Sequence, residues 1–215
     1  MTITLTARGL LFDMDGTLVD SLDVVVRIWS GFAVDQGLDP EVVLAAAHGV
    51  RMEDTIARFA PEGSDLDALH DRFQRMELED VGGVREVPGA RALLASLPSD
   101  RFAIVTSATP ELYRIRMEAA GLPLGATVVD AGSVSAGKPA PDPYLRGAAL
   151  LGVDPTDTIV FEDAEAGIRS GLAAGATVVV VGDHESDATI GLARIADYRD
   201  VRVEVDDAGL VLRIG

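Results

Sequence analysis

Short apolar runs at residues 9–13, 102–106, 127–130, 158–162 and 177–181 constrain this chain more than any other feature. They are rich in β-branched and large aliphatic side chains and close to continuously hydrophobic, which fits strands buried on both faces. Between them, residues 89–97, 110–120, 142–151 and 164–174 carry apolar residues at helical spacing. Strands alternating with helical segments pair in parallel through crossovers. The expected fold class is therefore α/β, a doubly wound, Rossmann-like parallel sheet. In such sheets ligands bind outside the carboxyl ends of the strands.

Residues 20–86 break the alternation. Helical patterns at 22–34, 41–47, 53–59 and 66–78 follow one another with no strand between them. A helical insertion after the first strand explains this, with hinges at 18–21 and 82–88. The predicted organisation is a core domain of residues 1–18 and 87–215 and a helical insertion of residues 19–86. A length of 215 residues suits one core domain plus one insertion. The last segments, 201–205 and 210–214, flank Asp206-Asp207-Ala208-Gly209 and read as a β-hairpin.

Composition narrows the classes of function. The net charge of −17 repels nucleic acid and anionic membranes, so neither is expected as a partner. It would also repel a phosphate ester at long range, so a site for one needs local cations. With no cysteine, disulfides and thiol chemistry are excluded. No apolar run reaches the roughly 18–20 residues of a membrane span, and the first residues lack the basic and apolar blocks of a secretory signal. A cytoplasmic monomer is expected. Of the 18 basic residues only Lys138 is a lysine. It stands in a loop stiffened by Pro139 and Pro141.

Four features fall at the carboxyl ends of predicted strands or in the loops beyond. Asp13-Met14-Asp15-Gly16-Thr17 ends the first. A carboxylate that attacks phosphorus divides hydrolysis into two easier steps, and a second carboxyl can supply a proton to the leaving oxygen. The same five residues also read as an ordinary aspartate-rich turn. Thr106-Ser107 offers hydroxyls and backbone N–H groups to phosphate oxygens, or merely caps the next helix. Lys138 is a compact cation suited to a phosphoryl group and a carboxylate nucleophile, or else an incidental surface lysine. Glu162-Asp163 offers hard oxygen ligands that, with Asp13, suit Mg²⁺, or forms a helix N-cap. Together the four supply every part of a phosphoryl-transfer site.

The order Asp-x-Asp-Gly-Thr, Thr-Ser, Gly-Lys-Pro, Glu-Asp resembles the haloacid dehalogenase superfamily. The resemblance covers the whole chain, because the helical insertion lies where that family places its helical cap. Residues 104–107, 137–145 and 161–168 look most like the branch of small sugar and polyol phosphatases, which includes glycerol-phosphate and deoxyhexose-phosphate phosphatases. The resemblance implies a magnesium-dependent phosphatase of a small phosphorylated metabolite. It makes Asp13 the nucleophile and Asp15 the acid/base, which also gives a backbone carbonyl to the metal. Thr106, Ser107 and Lys138 bind phosphate. Asp163 is a metal ligand, and Glu162 ligates directly or supports it.

The resemblance also sets a cap loop over the site. Ala47-His48-Gly49-Val50-Arg51 lies between two helical patterns, where His48, Gly49 and Arg51 would meet the substrate. His48 instead reads as a helix-capping residue, and Arg51 as the partner of a nearby carboxylate. Among relatives of the same fold, Asp15 argues against a haloalkanoate dehalogenase, and a cap without lysine argues against a phosphonatase. A β-phosphoglucomutase-like sugar phosphomutase shares every core motif and is the alternative. A non-catalytic sensor would be expected to lack one or more of these residues.

Overall fold

The computed structural model describes residues 2–206 and 209–215. Strand β1 (Ile3–Ala7) leads into β2 (Gly9–Phe12), whose four residues are all buried. A two-residue strand, β3 (Val19–Asp20), precedes four helices: α1 (Leu22–Asp35), α2 (Pro40–Ala47), α3 (Met52–Phe59) and α4 (Leu66–Glu79). Strand β4 (Arg85–Glu86) returns antiparallel to β3, so the two connections between the helices and the rest of the chain are tied into one ribbon. Then follow α5 (Ala90–Ser96), β5 (Phe102–Val105), α6 (Pro110–Ala119), β6 (Val128–Val129), α7 (Asp142–Leu151), β7 (Thr158–Glu162), α8 (Glu165–Ala173), β8 (Thr177–Val181), β9 (Ala193–Ile195), β10 (Val201–Asp206) and β11 (Gly209–Ile214).

The main sheet has the order β6-β5-β2-β7-β8-β9, parallel throughout. From β2 the chain goes to β5 and outward to β6, then crosses to β7 on the other side and runs outward again. The order therefore reverses at β2, and the crevice at its carboxyl end is where an open α/β sheet binds ligand. Alternation along β2 sends Leu10 and Phe12 to one face, in a core shared with Leu93 of α5 and Met117 of α6. It sends Leu11 to the other, with Tyr144 and Ala148 of α7 and Ile168 of α8. Phe12 stacks on Phe161 of β7, ring centroids 4.7 Å apart, which pins the two strands side by side beneath the crevice.

The four helices between β3 and β4 have a core of their own, around Val24, Ile28, Trp29, Phe32, Ile56 and Phe73. Phe32 and Phe73 meet edge to face at 5.2 Å. Helix α2 begins at Asp39, whose carboxylate accepts from the Glu41 N–H, with Pro40 at its first position. Helix α4 begins at Asp65 in the same way, through the Ala68 N–H.

The sequence reading differs from this fold at the edges. Strand β1 is absent from it, as are the short β9 and the β3–β4 ribbon. The expected hairpin of β10 and β11 is present, and β1 adds to its other side, giving a second, antiparallel sheet β1-β11-β10. Asp207 and Ala208 of the predicted turn lie outside the described residues.

Candidate active site

Sheet register assembles the site. Phe12 pairs with Ile104 on one side and Phe161 on the other, so Asp13 emerges beside Val105 and Glu162. Lys138, in the loop before α7, reaches in from the side, and its side chain is 1% exposed. Its ammonium donates to Asp13 Oδ1 at 2.5 Å, Glu162 Oε1 at 2.6 Å and the Val105 carbonyl at 3.1 Å. Three donors meet three acceptors, so the burial cost of the charge is offset by a full set of charge-assisted bonds. Burial works to lower the Lys138 pKa, but the adjacent Asp13 and Glu162 carboxylates more than reverse that.

Glu162 is held on every side. Tyr144 donates to Oε1 at 2.6 Å, and the Asp163 and Ala164 N–H groups donate to Oε2. Burial raises the Asp13 pKa well above the usual carboxylate range, and Glu162 and Asp163 push it further against the pull of Lys138. Three carboxylates facing one lysine make a site short of positive charge. Asp13, Glu162 and Asp163 can each place a carboxylate oxygen within 4.8 Å of the others. This all-oxygen set fits a hard divalent cation, and Asp13 and Asp163 are the two of the three not already saturated by hydrogen bonds as Glu162 is.

Gly16 makes the first loop possible. Its φ of +84° favours glycine, and a Cβ there would stand 1.9 Å from Asp163 Oδ2. Thr17 donates its hydroxyl to Asp163 Oδ1 at 3.0 Å, joining the two loops. Asp15 turns away from the lysine. Ser21 donates to its Oδ1 at 2.6 Å, and Arg116 of α6 donates to its Oδ2 at 2.9 Å.

The helices of the insertion close over this edge. A cavity of about 70 Å³ lies between the two parts, lined by Asp13, Asp15, His48, Thr106, Ser107 and Arg116 on its polar side and by Val25, Trp29, Met52 and Leu112 on its apolar side. A wider cavity of about 490 Å³ flanks it; Asp15 and His48 line both, and Asp163 lines the wider one.

Asp13, Asp15, Lys138, Glu162 and Asp163 are brought together, and Thr106 and Ser107 reach the cavity. Thr106 Oγ1 accepts from the Ala108 N–H, and Ser107 donates to the Gly49 carbonyl at 2.9 Å. Gly49, at φ +75°, lies so close to α8 that a Cβ would come 2.8 Å from the Ala164 Cβ. His48 Nε2 is 2.9 Å from Asp163 Oδ2, and that hydrogen bond pushes the imidazole pKa up to about 9. Arg51 is not brought to the cavity. Its guanidinium pairs with Asp54 at 2.7 Å and Glu53 at 3.5 Å, and its stem packs on Gly137.

Sequence reasoning missed Ser21, Glu77, Arg116 and Tyr144. A signal existed for Arg116: Leu112, Tyr113, Arg116 and Met117 form the buried stripe of α6, so a charge occupies an apolar position. Glu77, four residues after buried Phe73 on α4, is the same kind of anomaly.

Residues 10–181 match the model of the haloacid dehalogenase-like hydrolase family. The chain is 46% identical over 178 residues to hexitol phosphatase A of Escherichia coli K12, spanning 81% of this chain and 82% of that one. It is 34% identical over 188 residues to glycerol-1-phosphate phosphohydrolase 2 of Saccharomyces cerevisiae, 82% of this chain and 75% of that one. A hydrolase of Deinococcus radiodurans, solved with bound phosphate and sodium, superposes with a TM-score of 0.60 at 30% identity, covering 87% of this chain and 90% of that one. The chain belongs to the haloacid dehalogenase-like hydrolase family.

Proposed function

We propose that this chain is a magnesium-dependent phosphatase that hydrolyses a small sugar or polyol monophosphate through an aspartyl phosphate on Asp13, acting in the cytoplasm as a monomer. One observation carries the reading: a buried aspartate held by a buried lysine opens on the cavity beneath the inserted helices, with a second aspartate two residues on. Several relatives at 30% identity or more are named as phosphatases of hexitol, glycerol or deoxyglucose phosphates, which supports the substrate class. They also favour a phosphatase over a mutase.

Lys138 holds Asp13 Oδ1, which leaves Oδ2 to attack phosphorus. As the new O–P bond forms, the bond to the leaving oxygen breaks and Asp15 gives that oxygen a proton. The alcohol departs into the cavity. A water then attacks the phosphorus of the aspartyl phosphate, Asp15 takes its proton, and inorganic phosphate and free Asp13 result. Lys138 draws Asp13 toward its ionised form and aligns it, and Glu162 with Tyr144 keeps Lys138 in place. The Thr106 hydroxyl and the backbone N–H groups around Ser107 would donate to phosphate oxygens. Asp13, Asp163 and the Asp15 carbonyl would hold the magnesium, with Glu162 supporting them. When bound, the ion supplies charge neutralisation between Asp13 and the phosphoryl group. The helices of residues 19–86 act as a cap, and residues 1–18 and 87–215 as the core beneath it.

The test is phosphate release across a panel of sugar, polyol and nucleotide monophosphates, with and without a chelator. Release from a polyol or sugar phosphate, abolished by chelation and restored by magnesium without a sugar bisphosphate primer, is the expected result. An isomerised sugar phosphate as main product would establish the mutase instead.

A further inference from the structure

Arg116 is a guanidinium where helix α6 should present an apolar side chain. Its side chain is 3% exposed, and so nearly is that of its partner Glu77, at 8%. Nη1 lies 2.9 Å from Asp15 Oδ2 and Nη2 lies 3.2 Å from Glu77 Oε1. Nε donates to nothing among the described residues. A guanidinium that gives up one hydrogen bond to reach two carboxylates is placed for them rather than for its own solvation. Buried ion groups of this kind seldom add stability over apolar side chains of similar size, so packing does not explain it.

The two carboxylates come from different parts of the molecule. Asp15 follows β2 in the core, and Glu77 lies on α4 among the four inserted helices. Ser21, at the start of α1, holds the other oxygen of Asp15. The three contacts fix the Asp15 carboxylate in the cavity wall, and two of them depend on elements of the insertion.

We infer that Arg116 is a positioning residue for Asp15, and that Glu77, from the inserted helices, braces its guanidinium for that task. The inference rests on the reading of Asp15 as the acid that protonates the leaving oxygen. With the insertion docked, Glu77 and Asp15 anchor the guanidinium from two sides, and Asp15 is aimed.

Leaving-group dependence separates positioning from a general structural role. An alkoxide leaving group needs a proton from Asp15, whereas p-nitrophenolate departs with little help. kcat/KM covers the steps up to departure of that group, so it isolates the acid. In Arg116→Met, kcat/KM for a polyol monophosphate turned over by the parent should fall about 30-fold or more, part of the 10²–10⁴ that a general acid supplies. The value for p-nitrophenyl phosphate should stay within about threefold. Glu77→Gln should shift the ratio in the same direction by a smaller factor, and Asp15→Asn by a larger one. Where Arg116→Met does not fold, the double variant Arg116→Met/Glu77→Leu, which buries no unpaired charge, carries the same expectation. Equal losses on both substrates, or none on either, would overturn the inference. A parent enzyme inactive on every phosphate ester would instead count against the phosphatase reading.

Discussion

The core and the insertion meet at one cavity but bring charged groups to it under opposite conditions. In the core, Lys138, Asp13 and Glu162 are buried almost completely, and Lys138 bonds to both carboxylates, joining the loop before α7 to the ends of β2 and β7. In the loop between α2 and α3, the His48 side chain is 39% exposed, and Arg51 pairs with carboxylates one turn away on its own helix. A buried ion set must be complete to exist at all, because each unpaired member costs several kcal/mol. A half-exposed group is hydrated when unpaired and can change with little penalty. The contrast fits a division of labour in which the core handles the phosphoryl group common to all substrates and the loop handles what differs.

The largest effect should come from the core. Asp13→Asn removes the proposed nucleophile and should lower kcat/KM by about 10⁴-fold or more on every substrate, alkyl or aryl. Any substrate still turned over within tenfold of the parent would break the division. Lys138→Arg comes next. The ammonium meets three acceptors in a space closed on all sides, and a planar, wider fork does not fit them. A loss of about 10²-fold, again equal across substrates, is expected from steady-state kinetics.

The loop should give smaller, substrate-dependent effects. His48→Ala should lower efficiency toward the preferred polyol phosphate about tenfold, while an aryl phosphate is spared. Equal losses on both would place His48 with Asp163 in the core machinery rather than with selection. Arg51→Ala should change neither substrate by more than about threefold, since its guanidinium is turned to Asp54 and Glu53, whose carboxylates are exposed; solvent-screened pairs of that kind contribute about 0–1 kcal/mol.

The smallest effect lies outside the cavity between the main sheet and the inserted helices. Hydrogen bonds from Ser186 and His184 hold Glu165 at about 2, down from 4.5. A lowered carboxyl pKa stabilises the fold above the unfolded value and loses that contribution as pH falls through the folded one. The stability difference between the parent and Glu165→Gln should therefore be constant above about pH 5 and vanish between 4.5 and 2. At this exposure it should amount to a few tenths of a kcal/mol, read from urea midpoints. A difference that persists at pH 2 would mean that packing, not charge, is lost.

The same contrast governs what the sequence disclosed. Strand β8 was legible to the residue, because Thr177–Val181 is short, β-branched and continuously apolar. Strand β1 was not: only alternate residues are apolar, and its partner β11 lies at the far end of the chain. Asp13, Asp15, Lys138 and Glu162-Asp163 were legible because each stands at a strand end or beside prolines, where local sequence announces it. Arg116 and Glu77 each put a charge on the apolar stripe of a helix, which announces that a partner is needed, but only the fold shows which partner each finds. Arg51 shows the converse. Its place in a loop between helices suggested the substrate, but Asp54, three residues on, takes the guanidinium first.

The central claim is a covalent aspartyl phosphate, and stereochemistry at phosphorus tests it most directly. A polyol phosphorothioate made chiral with ¹⁶O and ¹⁸O would be hydrolysed in ¹⁷O-water, and the configuration of the inorganic thiophosphate determined. Attack by Asp13 followed by attack of water gives two inversions, so net retention is expected. Net inversion would mean that water displaces the alcohol in one step, and Asp13 would not be the nucleophile.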